Sequence, residues 1–204
     1  MRNLTPKIVL FFVMIFFLGC QNDSDSEERG DSQTEVMPYV GEWKSLEAED
    51  LGNGTFASRY FKLEEKVWEV RFTLYLDSML TSPVFQFRGV GEYELQGKSE
   101  VVGGAENALF GFDHKYVTLL TDNEGLISNF GFDACELVTG VEKNITTTGC
   151  SFLVSKSVCG QEYDLLKLDQ GLLYFGMRPS EGDMCAEERR PRALFYPLKR
   201  ATAI

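Results

Sequence analysis

A single histidine, His114, serves the whole chain of 204 residues. That scarcity removes the common routes to catalysis. A Ser-His-Asp triad needs an imidazole base, and His114 sits in Phe112-Asp113-His114-Lys115, which reads as a turn or strand end. Zinc chemistry is equally short of ligands, because no C-x-x-C pair accompanies that lone imidazole. Positive charge is also scarce: 20 Lys and Arg face 31 Asp and Glu. A chain this acidic does not bind nucleic acid by neutralising phosphates. No glycine-rich phosphate loop is present, and Gly103-Gly104 reads as a turn. The acidic pairs Glu64-Glu65 and Glu187-Glu188 read as solvated loop charges rather than glycosidase carboxylates. These absences point away from an enzyme, a metalloprotein or a cofactor carrier.

The N-terminal apolar run is also short. Residues 8–18 are eleven unbroken apolar residues, where a spanning helix needs about 20. Preceded by Arg2 and Lys7, the run fits the core of an export signal. It ends in Phe17-Leu18-Gly19-Cys20, which resembles a lipobox, the bacterial motif in which a small residue precedes a cysteine that is lipidated and becomes the new N-terminus. The departure is Phe17, where that motif usually has Leu. The resemblance implies a signal peptide over residues 1–19 and attachment to a membrane through acylated Cys20, with two or three chains giving stable anchoring. Gln21 in place of Asp after the cysteine favours the outer over the inner membrane, by resemblance to the sorting rule of enteric bacteria. Removing the signal deepens the net charge from −11 to −13, since Arg2 and Lys7 leave with it. Anionic headgroups would then repel the chain, so the expected anchor is covalent.

Residues 20–38 are rich in Asp, Glu, Ser and Gln, a composition that cannot bury enough to offset ordering entropy, and read as a tether. Residues 39–204 then form one expected domain. Its four cysteines, Cys135, Cys150, Cys159 and Cys185, read as two disulfides in an exported protein. Three pairings are possible. Loop closure favours the sequential one, Cys135 with Cys150 and Cys159 with Cys185.

The domain reads as β. In residues 67–77, Trp68, Val70, Phe72, Leu74 and Leu76 alternate with Glu69, Arg71 and Thr73, the period of a half-buried strand. Phe85 and Phe87, then Tyr93 and Leu95, alternate with polar neighbours in the same way. Gly89 and Gly91 between them suggest a hairpin or bulge. Further runs lie at 152–154, 163–168, 172–177 and 193–198, with Asp169-Gln170-Gly171 as a tight turn. Thr121-Asp122 reads as the cap of one short helix reaching about Phe130. Many strands, frequent glycine turns and almost no helix predict an all-β, antiparallel, calycin-like barrel, closed or nearly so.

Two resemblances extend this reading. Gly41-Glu42-Trp43 resembles the G-x-W motif of lipocalins and related calycin barrels. It implies that Trp43 closes one barrel end under an arginine near the last strand, either Arg192 or Arg200. A wider pattern runs through Trp43, Ser45, Arg59, Phe61, Trp68, Tyr75, Asp77, Pro83, Gly91 and Tyr93. It continues through Tyr163-Asp164-Leu165-Leu166-Lys167, Leu173-Tyr174-Phe175-Gly176, Arg190-Pro191, Leu194 and Pro197-Leu198. It resembles the domain of the adenomatosis polyposis coli down-regulated 1 family, membrane-tethered Wnt antagonists of animals. Two family cysteines are replaced together here, by Ala48 and Leu80. The resemblance implies a barrel-like fold whose apolar cavity accommodates lipid.

The inward candidates are Trp68, Val70, Phe72, Leu74, Phe85, Phe87, Tyr93 and Leu95. They suit either a cavity for a lipid or other hydrophobe, or a dry, solid core whose outer surface meets another envelope protein.

Overall fold

The computed structural model describes residues 38–180 and 182–201. The expected signal, Cys20 and nearly all of the expected tether lie outside them. Among the described residues, no helix is long and apolar enough to cross a membrane.

Among the described residues eleven antiparallel strands follow one another: β1 (Gly41–Ser45), β2 (Glu49–Gly52), β3 (Thr55–Leu63), β4 (Val67–Tyr75), β5 (Pro83–Lys98), β6 (Glu106–Gly111), β7 (His114–Leu119), β8 (Glu142–Asn144), β9 (Gln161–Asp169), β10 (Leu172–Phe175) and β11 (Leu198–Arg200). Eight of them close a barrel in the order β1-β3-β4-β5-β6-β9-β10-β11 and back to β1. Closure leaves the barrel proper without free edges. β2 hangs on β3, while β7 and β8 extend the sheet beyond the barrel.

The period-two reading of β4 matches its burial, with Trp68, Val70 and Leu74 inward. The expected break at Gly89 and Gly91 is corrected: β5 runs unbroken for 16 residues. The glycines are there because other chain segments press on the strand. A Cβ on Gly91 would overlap the Gly111 carbonyl, and one on Gly89 would lie 2.6 Å from the Phe112 ring.

That crowding marks the key bend of the fold. β6 and β7 lie end to end along β5, β6 pairing residues 93–98 and β7 pairing residues 85–90. Up to Gly111 the chain also pairs β9, at Gln161. Beyond Phe112 it leaves β9 and pairs β8 instead. The barrel wall therefore splits between β7 and β9. Residues 120–160 leave β7 and return to β9 across that gap.

This excursion holds the expected helix, α1 (Glu124–Asn129), whose cap is Asn123 rather than Thr121-Asp122: the Asn123 Oδ1 accepts from Leu126 N at 3.1 Å. Phe132, Ile145 and Cys150 of the excursion pack with Phe85, Val117 and Leu119. The Cys135–Cys150 disulfide lies in this cluster, and Cys159–Cys185 joins the end of the excursion to the loop after β10. Residues 152–154 carry only a bridge, Cys150 to Leu153, and the expected strand at 193–198 reduces to a Gly176–Leu194 bridge before β11.

Candidate functional site

The two barrel ends are built differently. At one end Trp43 is wholly buried, its Nε1 donating to the Tyr39 carbonyl at 2.8 Å. The Tyr39 hydroxyl donates to Glu106 at 2.7 Å, so residues 38–40 strap this end shut. The arginine over Trp43 is Arg200, its guanidinium 4.4 Å from the ring, and it also donates to the Val40 carbonyl. Arg192 is exposed and does not close the barrel, which corrects that candidate. Register explains the choice: β11 pairs β1 directly, with Arg200 opposite Trp43.

Above this plug lies an aromatic floor. Phe61 stacks on Phe175 at 3.9 Å between centroids, and Trp68 packs on Phe110 at 4.7 Å and on Phe112 at 5.2 Å. Trp68 is held by its Nε1, which donates to the Gly111 carbonyl at 2.8 Å. Over this floor the barrel is hollow. The cavity measures about 1090 Å³, around the upper limit of the roughly 300–1,000 Å³ usual for ligand sites. Five of the sequence candidates line it: Trp68, Val70, Phe72, Phe85 and Phe87. Leu74 packs with the excursion instead, and Tyr93 and Leu95 belong to the filled end. The Tyr93 hydroxyl is spent on the Glu64 carbonyl at 2.8 Å.

The cavity opens past Leu51, Phe152 and Met177, which line it while 38%, 55% and 47% exposed. Phe152 is kept in place by Phe85 at 5.8 Å and Phe132 at 5.7 Å. The loop after β10 forms the facing rim. It is tied by the Cys159–Cys185 disulfide and by Arg190, which donates to the Ala108 and Asp164 carbonyls at 2.8 and 2.7 Å.

The polar groups of the walls were not legible as site residues. Arg59 is buried against Glu49 in an ion pair of 2.8 Å, donates to the Tyr196 carbonyl and stands 4.7 Å from the Phe195 ring. Asp164 is buried, and its Oδ1 accepts from the amides of Leu165 and Gly176 at 2.7 and 2.8 Å. Burial pushes its carboxyl up to about 7 against the pull of those two amides. Glu162 and Arg178 pair at 2.6 Å beside the opening. Lys115 is 4% exposed; its Nζ donates to the carbonyls of Val154 and Cys159 at 3.1 and 2.6 Å. Burial lowers its affinity for the proton.

Sequence phase carried a signal for two of these. Arg59 falls in phase with buried Ala57, Phe61 and Leu63, and Lys115 with buried Val117 and Leu119. A cation in the apolar phase of a strand faces the interior. Asp164 had no such signal, because buried Leu165 and Leu166 follow it directly.

Cys159, Glu162 and Cys185 lie within 4.8 Å of one another, but the two sulfurs are bonded together and so offer no thiolate pair to a metal. His114 is exposed, 6.0 Å from the Tyr116 ring, and does not line the cavity. No family model matches the chain, and no curated protein is significantly similar to it.

Proposed function

We propose that this domain is a non-catalytic binder of a lipid or other hydrophobic ligand, carried at a membrane surface by an acylated Cys20. The observation that carries the reading is the cavity of about 1090 Å³ over the aromatic floor. An apolar void of that size, open at a rim of exposed Leu51, Phe152 and Met177, loses dispersion and hydrophobic energy unless something apolar fills it. Each methylene taken from water into it contributes about 0.8 kcal/mol, so a medium-length alkyl chain suffices for tight binding. The competing expectation, a barrel solid throughout, suits the Trp43 end alone.

Export and anchoring rest on the lipobox-like Cys20 and the acidic segment after it. An outer-membrane location is part of the same proposal, as is the absence of bond-breaking chemistry. The test is mass spectrometry of small molecules released from protein purified out of envelopes, paired with Trp68 fluorescence during titration with alkyl probes. Trp43 is sealed in the plug and serves as the silent reference, so a Trp68→Phe variant should lose the signal. Protein that emerges empty and shows no saturable response to any alkyl probe rules the reading out.

A further inference from the structure

Resting on the reading of the void as a ligand site, we propose that Lys115 makes it selective for amphiphiles with a single acidic head. The geometry starts at the bend between β6 and β7. Lys115 lies opposite Gly89 in the ladder, on the face shared with Phe85 and Phe87. The missing side chain of Gly89 leaves room for the Phe112 ring, and the Lys115 ammonium stands 4.4 Å from the centre of that ring. Both residues line the cavity.

This ammonium is nearly inaccessible to bulk water, yet among the described residues no carboxylate lies within ion-pairing distance of it. Two of its three N–H groups meet the carbonyls of Val154 and Cys159. The third has no partner among the described residues. The other charges of the walls are compensated differently. Arg59 has Glu49, and Glu162 has Arg178. Glu162 and Asp164 line the same cavity, but Glu162 is taken up by Arg178 and Asp164 holds its proton up to about 7, so neither gives Lys115 a direct ion pair. A buried charge is stable when paired and costly when not. An acidic head placed here supplies the missing counter-ion and accepts the unused N–H, while its alkyl chain lies across Trp68 and Phe61. A neutral head satisfies the N–H without the charge, and a cationic head is repelled.

The test uses the full chain stripped of lipid and three probes sharing one tail: dodecanoate, methyl dodecanoate and dodecyltrimethylammonium. Wild-type protein should bind dodecanoate roughly tenfold or more tightly than the ester, the worth of one charge-assisted hydrogen bond, and the cation most weakly. Lys115→Met should bind the ester as before and lose the preference, whereas Lys115→Arg should keep it. A second measurement needs no variant: the N-hydroxysuccinimide ester of dodecanoic acid should acylate Lys115 ahead of exposed Lys44 and Lys199, read by peptide mass spectrometry. If no probe binds at all, the ligand-site reading itself fails. Equal affinity for acid and ester in the wild type overturns the selectivity alone, as does a preference that survives in Lys115→Met. Should Lys115→Met lose the ester as well, its wall has collapsed and the acylation pattern decides: labelling confined to exposed lysines overturns the assignment.

Discussion

The filled end and the hollow end of this barrel are made from the same strands with the same alternation. Along β3, Leu63 packs in the plug while Phe61, two residues away, forms the floor of the void. What separates them is convergence. At the Trp43 end a strap, residues 38–40, places the Tyr39 side chain in the core cluster and offers three backbone carbonyls to Trp43 and Arg200. At the other end β7 parts from β9, and the excursion that fills the gap covers the sheet instead of plugging the barrel. A period-two pattern therefore says which face is inside. It does not say whether the inside is full, because that depends on where a neighbouring strand departs.

The contrast is broken most severely at the plug. Trp43→Ala should cost about 3–5 kcal/mol, since it opens a closed cavity and orphans both the Tyr39 carbonyl and the Arg200 contact. Chemical denaturation measures this, and a loss under 1 kcal/mol would mean that the plug is no tighter than the open end.

The next effect tests the hollow end through pH. The Asp164 carboxyl keeps its proton in the folded chain up to about 7, whereas an unfolded aspartate loses it near 3.8. The folded-state value is raised, so this group's stabilisation is complete below about pH 4 and disappears as pH rises through 7. The difference is at most about 4 kcal/mol. Asp164→Asn imitates the protonated acid and can still accept from the Leu165 and Gly176 amides. Melting curves should show the wild type weakening relative to this variant from pH 5 to pH 8. Parallel pH profiles would place the carboxyl in contact with water and widen the open end to include it.

The architecture was more legible than the site. The β4 pattern, the Asp169-Gln170-Gly171 turn and the sequential cysteines all act locally, and local signals survive in a sequence. The turn, for example, needs left-handed backbone at Gln170 and Gly171, with φ of 50° and 78°. β5 was misread because its glycines answer to Phe112 and Gly111, which arrive from twenty residues downstream. The same reason hid the cavity boundary. Leu74, Tyr93 and Leu95 share the alternation of their strands with Phe72, Phe85 and Phe87, and only the position along the barrel separates them. Arg200 displaced Arg192 through a strand pairing that no local pattern encodes.

Gly91 tests the bend on which the difference between the ends depends. Gly91→Ala should destabilise by about 1–3 kcal/mol, because the new methyl meets rigid backbone at Gly111 that cannot turn aside. Gly97→Ala is a poor control, given its φ of 91°. Gly103→Ala, with open space around it and ordinary backbone, should be nearly silent.

The smallest stability effect is expected where the void already exists. Phe87 is half-buried and faces the cavity. Removing its ring deletes contacts without creating a new sealed hole, so Phe87→Ala should cost only about 1 kcal/mol, against the larger sum paid at Trp43. Its binding effect should run the other way, because a wider wall grips an alkyl chain less closely. Denaturation and probe titration on the same variant separate the two quantities. Equal stability losses at Phe87 and Trp43 would mean that the upper half of the barrel is packed as tightly in solution as the plug.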